Sequence, residues 1–179
     1  MKLTADILGY VATFFFVIAT QFPKKSQIMI CYAVANLSTA ASVVFLLGGL
    51  SSAVTMSLTG FVHICVNLYH HYRNEEPGKT EKIVFACLYL VAGILGVRQW
   101  LDILPIVASL FFMWSVFQTD EQKVRLTLLG NAFFYLIYYF IIRSTVVYAE
   151  IFSDISIITS LIRYRKGKKL KKSEDTQNV

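Results

Sequence analysis

Ile7-Leu8-Gly9-Tyr10-Val11-Ala12-Thr13-Phe14-Phe15-Phe16 and Ile103-Leu104-Pro105-Ile106-Val107-Ala108-Ser109-Leu110-Phe111-Phe112 carry one apolar pattern in opposite halves of the chain. Both open on Ile-Leu, place a hydroxyl residue after Val-Ala, and close on Phe-Phe. Further out, Asn36 matches Asn131, each near the middle of its apolar segment, and His71-Tyr72-Arg73 matches Arg163-Tyr164-Arg165. Self-similarity of this kind marks an internal duplication. Three apolar segments make up each copy, and one segment lies between the copies. A single linking span returns the chain to its starting side, so the second copy has the orientation of the first. The repeat is parallel, about an axis along the membrane normal.

The apolar segments run over 5–22, 27–47, 52–70, 82–97, 101–118, 124–142 and 144–163. A membrane-crossing helix takes about 20 residues. Seven of them occupy nearly all of a 179-residue chain that is 56% hydrophobic and only 16% charged. No length remains for a soluble domain or a nucleotide-binding fold, and 15% aromatic content excludes disorder. Period-two alternation is absent, and backbone groups in hydrocarbon must be satisfied within their own segment, so the class is all-α. The separators hold the expected breakers: Pro23 with Lys24 and Lys25, Gly48-Gly49, Pro77-Gly78, the stretch from Thr119 to Lys123, and Arg143.

The fourth and fifth segments are the weakest, being bounded by Arg98 and interrupted by Asp102 and Pro105. Charge favours seven spans over six. Lys24, Lys25, Arg73, Lys79, Lys82, Lys123 and Arg125 then share a side with the tail cations Arg163, Arg165, Lys166, Lys168, Lys169, Lys171 and Lys172. Lys2, Arg98 and Arg143 fall on the other. The positive-inside bias puts the N-terminus outside and the C-terminus in the cytoplasm. We therefore expect one transmembrane domain over 1–163 and a basic cytoplasmic tail over 164–179. Within the domain, 5–73 is the first three-helix bundle, 82–97 a linker helix and 101–163 the second bundle. The first span lacks a small-residue cleavage site and reads as uncleaved.

Three helices, a linker and three more resemble the SWEET and PQ-loop superfamily of small solute transporters. Gln21-Phe22-Pro23 is similar to the Pro-Gln signature with its order reversed, and the second copy keeps only Gln118. Leu104-Pro105-Ile106-Val107 with Trp114 downstream, and Glu150 followed by Leu161-Ile162-Arg163, resemble the bacterial inner-membrane YgjV family over roughly 5 to 165. Membership implies a multi-pass inner-membrane protein of unassigned biochemical role. The SWEET likeness implies a solute site between the repeats, near the midplane.

Ionisable side chains within a bilayer cost about 2.5–3.5 kcal/mol on insertion scales and persist where they pair or line a cavity. Here they are His63, Glu150 and Asp154, with His70 at a boundary. His63 and Asp154 have similar depth on equivalent spans. They are candidates to pair, bind a solute or pass a proton; a packing hydrogen bond is the alternative. Glu150 and Asp154 are one helical turn apart. Two carboxylates so close disfavour double ionisation, a candidate proton-coupling element, unless Glu150 simply reaches water or Arg143. Thr59, His63, Asn67 and His70 form a stripe on the third span that must face protein or a wet path. Asn36 and Asn131 are either its symmetric polar flanks or interhelical hydrogen bonds. Pro23 and Pro105 are gating candidates or plain helix ends. Trp100 suits the headgroup belt, Trp114 a pocket or packing, and Cys31, Cys65 and Cys87 read as buried structural thiols.

No phosphate loop, H-E-x-x-H or C-x-x-C occurs, so neither a catalytic residue, a cofactor nor a metal is expected. The basic run follows a hydrophobic span, which points to anionic lipid headgroups, not nucleic acid. Other expected partners are a small polar solute and a second copy of the chain. The expected function is a small polar solute transporter or facilitator, with a non-transporting scaffold or regulatory protein as the other reading.

Overall fold

The computed structural model describes residues 2–177, with the backbone alone for Ala149 and for 164–177. The side chains of the basic tail beyond Arg163 lie outside the described residues. The chain forms seven helices and no strand among those residues: α1 (Lys2–Ala19), α2 (Lys25–Leu47), α3 (Ser52–Arg73), α4 (Lys79–Gly96), α5 (Ile103–Phe117), α6 (Glu121–Ile141) and α7 (Val146–Gln177). A 3-10 turn over Trp100–Asp102 leads into α5. The ends follow from local chemistry. α2 stops at Gly48, whose φ of 69° costs a residue without Cβ nothing, and its N–H returns to the Val44 carbonyl at 2.9 Å. α6 starts on Asp120, whose carboxylate accepts from the N–H groups of Gln122 and Lys123 at 2.8 and 3.1 Å.

α1, α2, α3, the Trp100–Phe117 stretch and α6 are each long and apolar enough to cross a membrane. α4 begins with Lys79, Glu81 and Lys82. The helices pack as a closed ring in the order α1, α2, α3, α5, α6, α7 and back to α1, with α4 buttressing α3 and α5 from outside. Exchanging α1 with α5, α2 with α6 and α3 with α7 turns the α1–α7 seam into the α5–α3 seam, as a duplication requires. α1–α3 and α5–α7 each form an open arc of three helices, so closure depends on both. Across the α1–α7 seam, Thr20, Gln21 and Ser156 hydrogen-bond to one another. Arg163 donates to Gln21 Oε1 at 3.2 Å.

The outer face of the ring is apolar, with Phe14, Ile83, Leu95, Phe133 and Phe140 among its exposed side chains. A surface this apolar suits lipid, not water. Cys65, Cys87 and Trp114 also lie there, which corrects three expectations. Only Cys31 is a buried thiol, and Trp114, 59% exposed, neither lines a pocket nor packs inside. Hydropathy cannot distinguish a lipid-facing from a protein-facing position. Pro23 sits in the α1–α2 turn, and Pro105 in the first turn of α5, where an N–H has no intrahelical partner to lose. Both prolines thus sit at or beside helix ends.

Backbones meet most closely where α4 leans on α3. A Cβ on Gly96 would lie 2.5 Å from Ser52 Cα, a backbone atom that cannot swing aside. Gly96→Ala is expected to cost about 2 kcal/mol, a fall of about 4–8 °C in Tm. Gly78→Ser, at a glycine with nothing within 4 Å, should stay within about 0.5 kcal/mol of the parent. Melting of both variants in micelles checks this.

Candidate functional site

Near the middle of the ring is an enclosed cavity of about 10 Å3, room for about one water molecule. α2 supplies Tyr32, Asn36 and Thr39, which recur at helical spacing on one stripe; α6 supplies Asn131 and Tyr135. Ser57 of α3 and Ser109 of α5 complete the polar lining. The Ser109 and Tyr135 hydroxyls are hydrogen-bonded at 3.0 Å, and Asn131 Nδ2 donates to the Ala108 carbonyl at 2.9 Å. Asn36 Nδ2 and Thr39 Oγ1, by contrast, have no partner among the described residues. Phe16 and Phe112, equivalent positions of the repeated pattern, flank the Tyr32 ring at centroid distances of 5.2 and 5.8 Å. This aromatic layer bounds the cavity on one side. Gly60 admits it, since a Cβ there would stand 3.2 Å from the Phe112 ring and 3.3 Å from Asn36 Nδ2.

Glu150 is 4% exposed and lies within electrostatic range of Tyr32, Tyr135, Tyr139 and Asp154. Two of those tyrosines, Tyr32 and Tyr135, line the cavity, whereas Glu150 itself is not among its lining residues. Such burial rules out the simple reading in which Glu150 reaches bulk water. Tyr135 and Tyr139 stack at 5.4 Å with planes 12° apart. Asp154, half-buried, keeps one carboxylate oxygen enclosed and without a partner.

His63 is fully buried elsewhere. It stacks on Phe85 of α4 at 4.0 Å, packs on Phe117 at 4.6 Å, and its Nδ1 is 3.5 Å from the Tyr89 hydroxyl. Among the described residues no hydrogen bond or ion pair joins His63 to Asp154, so the pairing expected from their depth does not form. The packing order explains this: α3 and α7 are separated by two helices either way round and occupy opposite arcs of the ring.

The α3 stripe does face protein. Thr59, His63 and Asn67 are all buried, although the Thr59 hydroxyl turns back to its own helix at Thr55 O, 2.8 Å away. Asn67 opens on a larger cavity of about 380 Å3, where the α1–α2, α3–α4 and α5–α6 connections converge. Lys24, Lys25, His70, Glu75 and Glu121 also line it. His70 is held between Glu75 at 3.3 Å and Glu81 at 3.0 Å. From this vestibule, Asn67, His63 and Gly60 lead along one α3 face to the aromatic layer. The opposite end of the ring is tied by Asp102, 2% exposed. Its Oδ1 accepts from the Ser52 hydroxyl at 2.7 Å, and its Oδ2 from the N–H groups of Arg98 and Gln99 at 2.8 and 2.9 Å.

Over residues 3–168 the sequence matches the Imp-YgjV family model, described as bacterial inner membrane protein. The chain belongs to that family. No curated protein and no solved structure matches it. In this YgjV family member the matched region contains the whole ring, both cavities and the Asp102 knot.

Reciprocal ties hold the vestibule end of this YgjV ring. Lys25 Nζ, at the start of α2, donates to the Val116 carbonyl at the end of α5 at 2.6 Å. Arg125, in the first turns of α6 and 1% exposed, donates to the Phe22 carbonyl beyond α1 at 3.0 Å and to Glu121 O at 3.3 Å. Each repeat thus lends a cation from its second helix to the trailing end of the other's first helix, where carbonyls carry partial negative charge. The sequence reading missed Arg125, Asp102, Thr39, Ser57, Ser109 and the three tyrosines Tyr32, Tyr135 and Tyr139. For Ser109 a signal existed: it is the hydroxyl position of the repeated pattern, matching Thr13.

Proposed function

We propose that the chain is a transporter or facilitator of a small polar solute, with its path along the ring axis between the two repeats. The observation that carries this reading is the enclosed central cavity, in which Asn36 Nδ2 and Thr39 Oγ1 lack partners. A buried polar group left unpaired costs about 1–3 kcal/mol, a cost that one water offsets in the closed ring and that a polar solute would offset once the ring opens. All seven helices cross the inner membrane in this reading, with the N-terminus outside and the C-terminus and vestibule on the cytoplasmic side, as the distribution of lysine and arginine favours. The parallel repeat joined by one linker helix is an arrangement shared with SWEET-type transporters, which supports transport by analogy of architecture. The Phe16–Tyr32–Phe112 layer is then the inner barrier and the Asp102 knot the outer one, and alternating access opens them in turn.

Cysteine accessibility tests this in a background with Cys31, Cys65 and Cys87 replaced. Asn67→Cys is expected to react quickly with an impermeant thiol reagent from the cytoplasmic side. Ser57→Cys, beyond the aromatic layer, is expected to react slowly but measurably in reconstituted vesicles. Complete protection of Ser57→Cys from both sides, together with absence of solute flux, would favour the scaffold reading and end the transport one.

A further inference from the structure

We propose, resting on the transport reading above, that the vestibule binds a small zwitterionic amino acid, its carboxylate at the start of α2 and its ammonium group by Glu76 and Glu121. The cavity, about 380 Å3, is of the size that takes small-molecule ligands. Its most buried lining residue is Asn67, 6% exposed, whose side chain forms no hydrogen bond among the described residues. A buried amide without a protein partner calls for a ligand that both accepts and donates. The start of α2 supplies the anion-binding side. Lys24, Lys25 and Ser26 bring it to the cavity. Lys24 is the N-cap and makes no side-chain cap, so the leading N–H groups lack a helical partner and carry partial positive charge. At the same end of the ring the start of α6 is already satisfied, because the Asp120 carboxylate accepts from Gln122 and Lys123.

Charge supplies the other half. His70 engages Glu75 and Glu81, which leaves Glu76 and Glu121 facing the cavity without an ion pair among the described residues. Lys24 has no ion pair there either, and Lys25 donates to a neutral group, the Val116 carbonyl. Charges of both signs thus line one cavity without closing on each other. A simple anion would meet Glu76 and Glu121, a simple amine would meet Lys24 and Lys25, and a neutral solute would satisfy neither pair. A molecule with a carboxylate and an ammonium group satisfies both, and the Asn67 amide can donate to the first and accept from the second. A phosphoethanolamine lipid headgroup carries the same two charges, so the experiment separates the two sources.

Four probes are added in turn to the purified full chain in maltoside micelles at matched pH and ionic strength: L-alanine, propionate, ethylamine and glycerophosphoethanolamine. L-Alanine at about ten times its Kd is expected to raise Tm by about 3–6 °C, and the other three at the same concentration by less than about 1 °C. Lys24→Gln, and Glu76→Gln combined with Glu121→Gln, should each require about fivefold more L-alanine for the same shift. Asn67→Leu should abolish the shift, read against its own unliganded Tm; if that variant does not fold, the surface variants decide. Lys2→Gln, at the opposite end of the ring, should match the parent. Propionate or ethylamine as effective as L-alanine, or silence of all four probes, overturns the zwitterion assignment. So does an L-alanine shift that survives the lysine and glutamate changes alike. Stabilisation by glycerophosphoethanolamine with L-alanine silent would place a lipid headgroup in the vestibule and overturn the amino-acid assignment. Stabilisation by L-alanine without its uptake into vesicles would instead overturn transport and leave the binding site standing.

Discussion

Arg125→Ala protein is expected to be the least stable single variant of the ring, losing about 3–5 kcal/mol, with a fall in Tm of about 6–20 °C. The guanidinium is 1% exposed and bridges α6 to the turn that leaves α1. Truncation removes two charge-assisted bonds, strands the Phe22 carbonyl and opens a hole the size of the side chain. Arg125→Lys should recover about half of the loss, because a point charge cannot reproduce two diverging N–H directions. Its counterpart in the other repeat should behave differently. Lys25 is only partly buried and lines the vestibule, so in Lys25→Met the Val116 carbonyl can turn to water, at a cost of about 1 kcal/mol. Melting curves of the three variants in micelles decide the matter. An Arg125→Ala protein that melts with the parent would mean that the cross-tie does not hold the ring closed.

Asp102→Asn should loosen the end opposite the vestibule. The carboxylate takes three donors on two oxygens, and the amide that replaces it has one acceptor and aims its NH2 at N–H groups or at the Ser52 hydroxyl. The expected loss is about 2–3 kcal/mol of stability. Where only 1 kcal/mol of this falls on the closed state relative to an outward-open one, the open fraction rises about fivefold. The readout is the labelling rate of Ser57→Cys by an impermeant reagent applied from outside, compared with and without Asp102→Asn. An unchanged rate, with the stability loss present, would leave Asp102 a structural tie and remove it as a barrier.

Much of the ring's plan was legible in advance. The recurring pattern pairs Phe16 with Phe112 and Asn36 with Asn131, and all four line the same cavity. Glu150 was also legible, since an acid in an apolar segment needs a reason to be there. Other inferences failed for a shared cause. Similar depth suggested that His63 and Asp154 meet, yet depth is one coordinate of three, and the packing order sets their helices on opposite arcs. Thr59 belongs to the buried stripe but its hydroxyl closes on its own backbone. Asp102 looked like a defect in a weak span and is instead the acceptor around which the Trp100–Asp102 turn is organised. Tyr32 and Tyr135 passed as apolar bulk, although both line the central cavity and the Tyr135 hydroxyl bonds Ser109.

Membrane residence, helical class and the number of helices are properties of order along the chain, since apolar length survives in one dimension. Which side of each helix turns inward is not such a property. In a bilayer the outer face is as apolar as the inner, so no amphipathic stripe marks the core. Only the closure of six helices into a ring, with a seventh outside it, set Cys65 and Trp114 on the outer face and gathered Thr39, Asn36, Tyr32 and Tyr135 around one cavity.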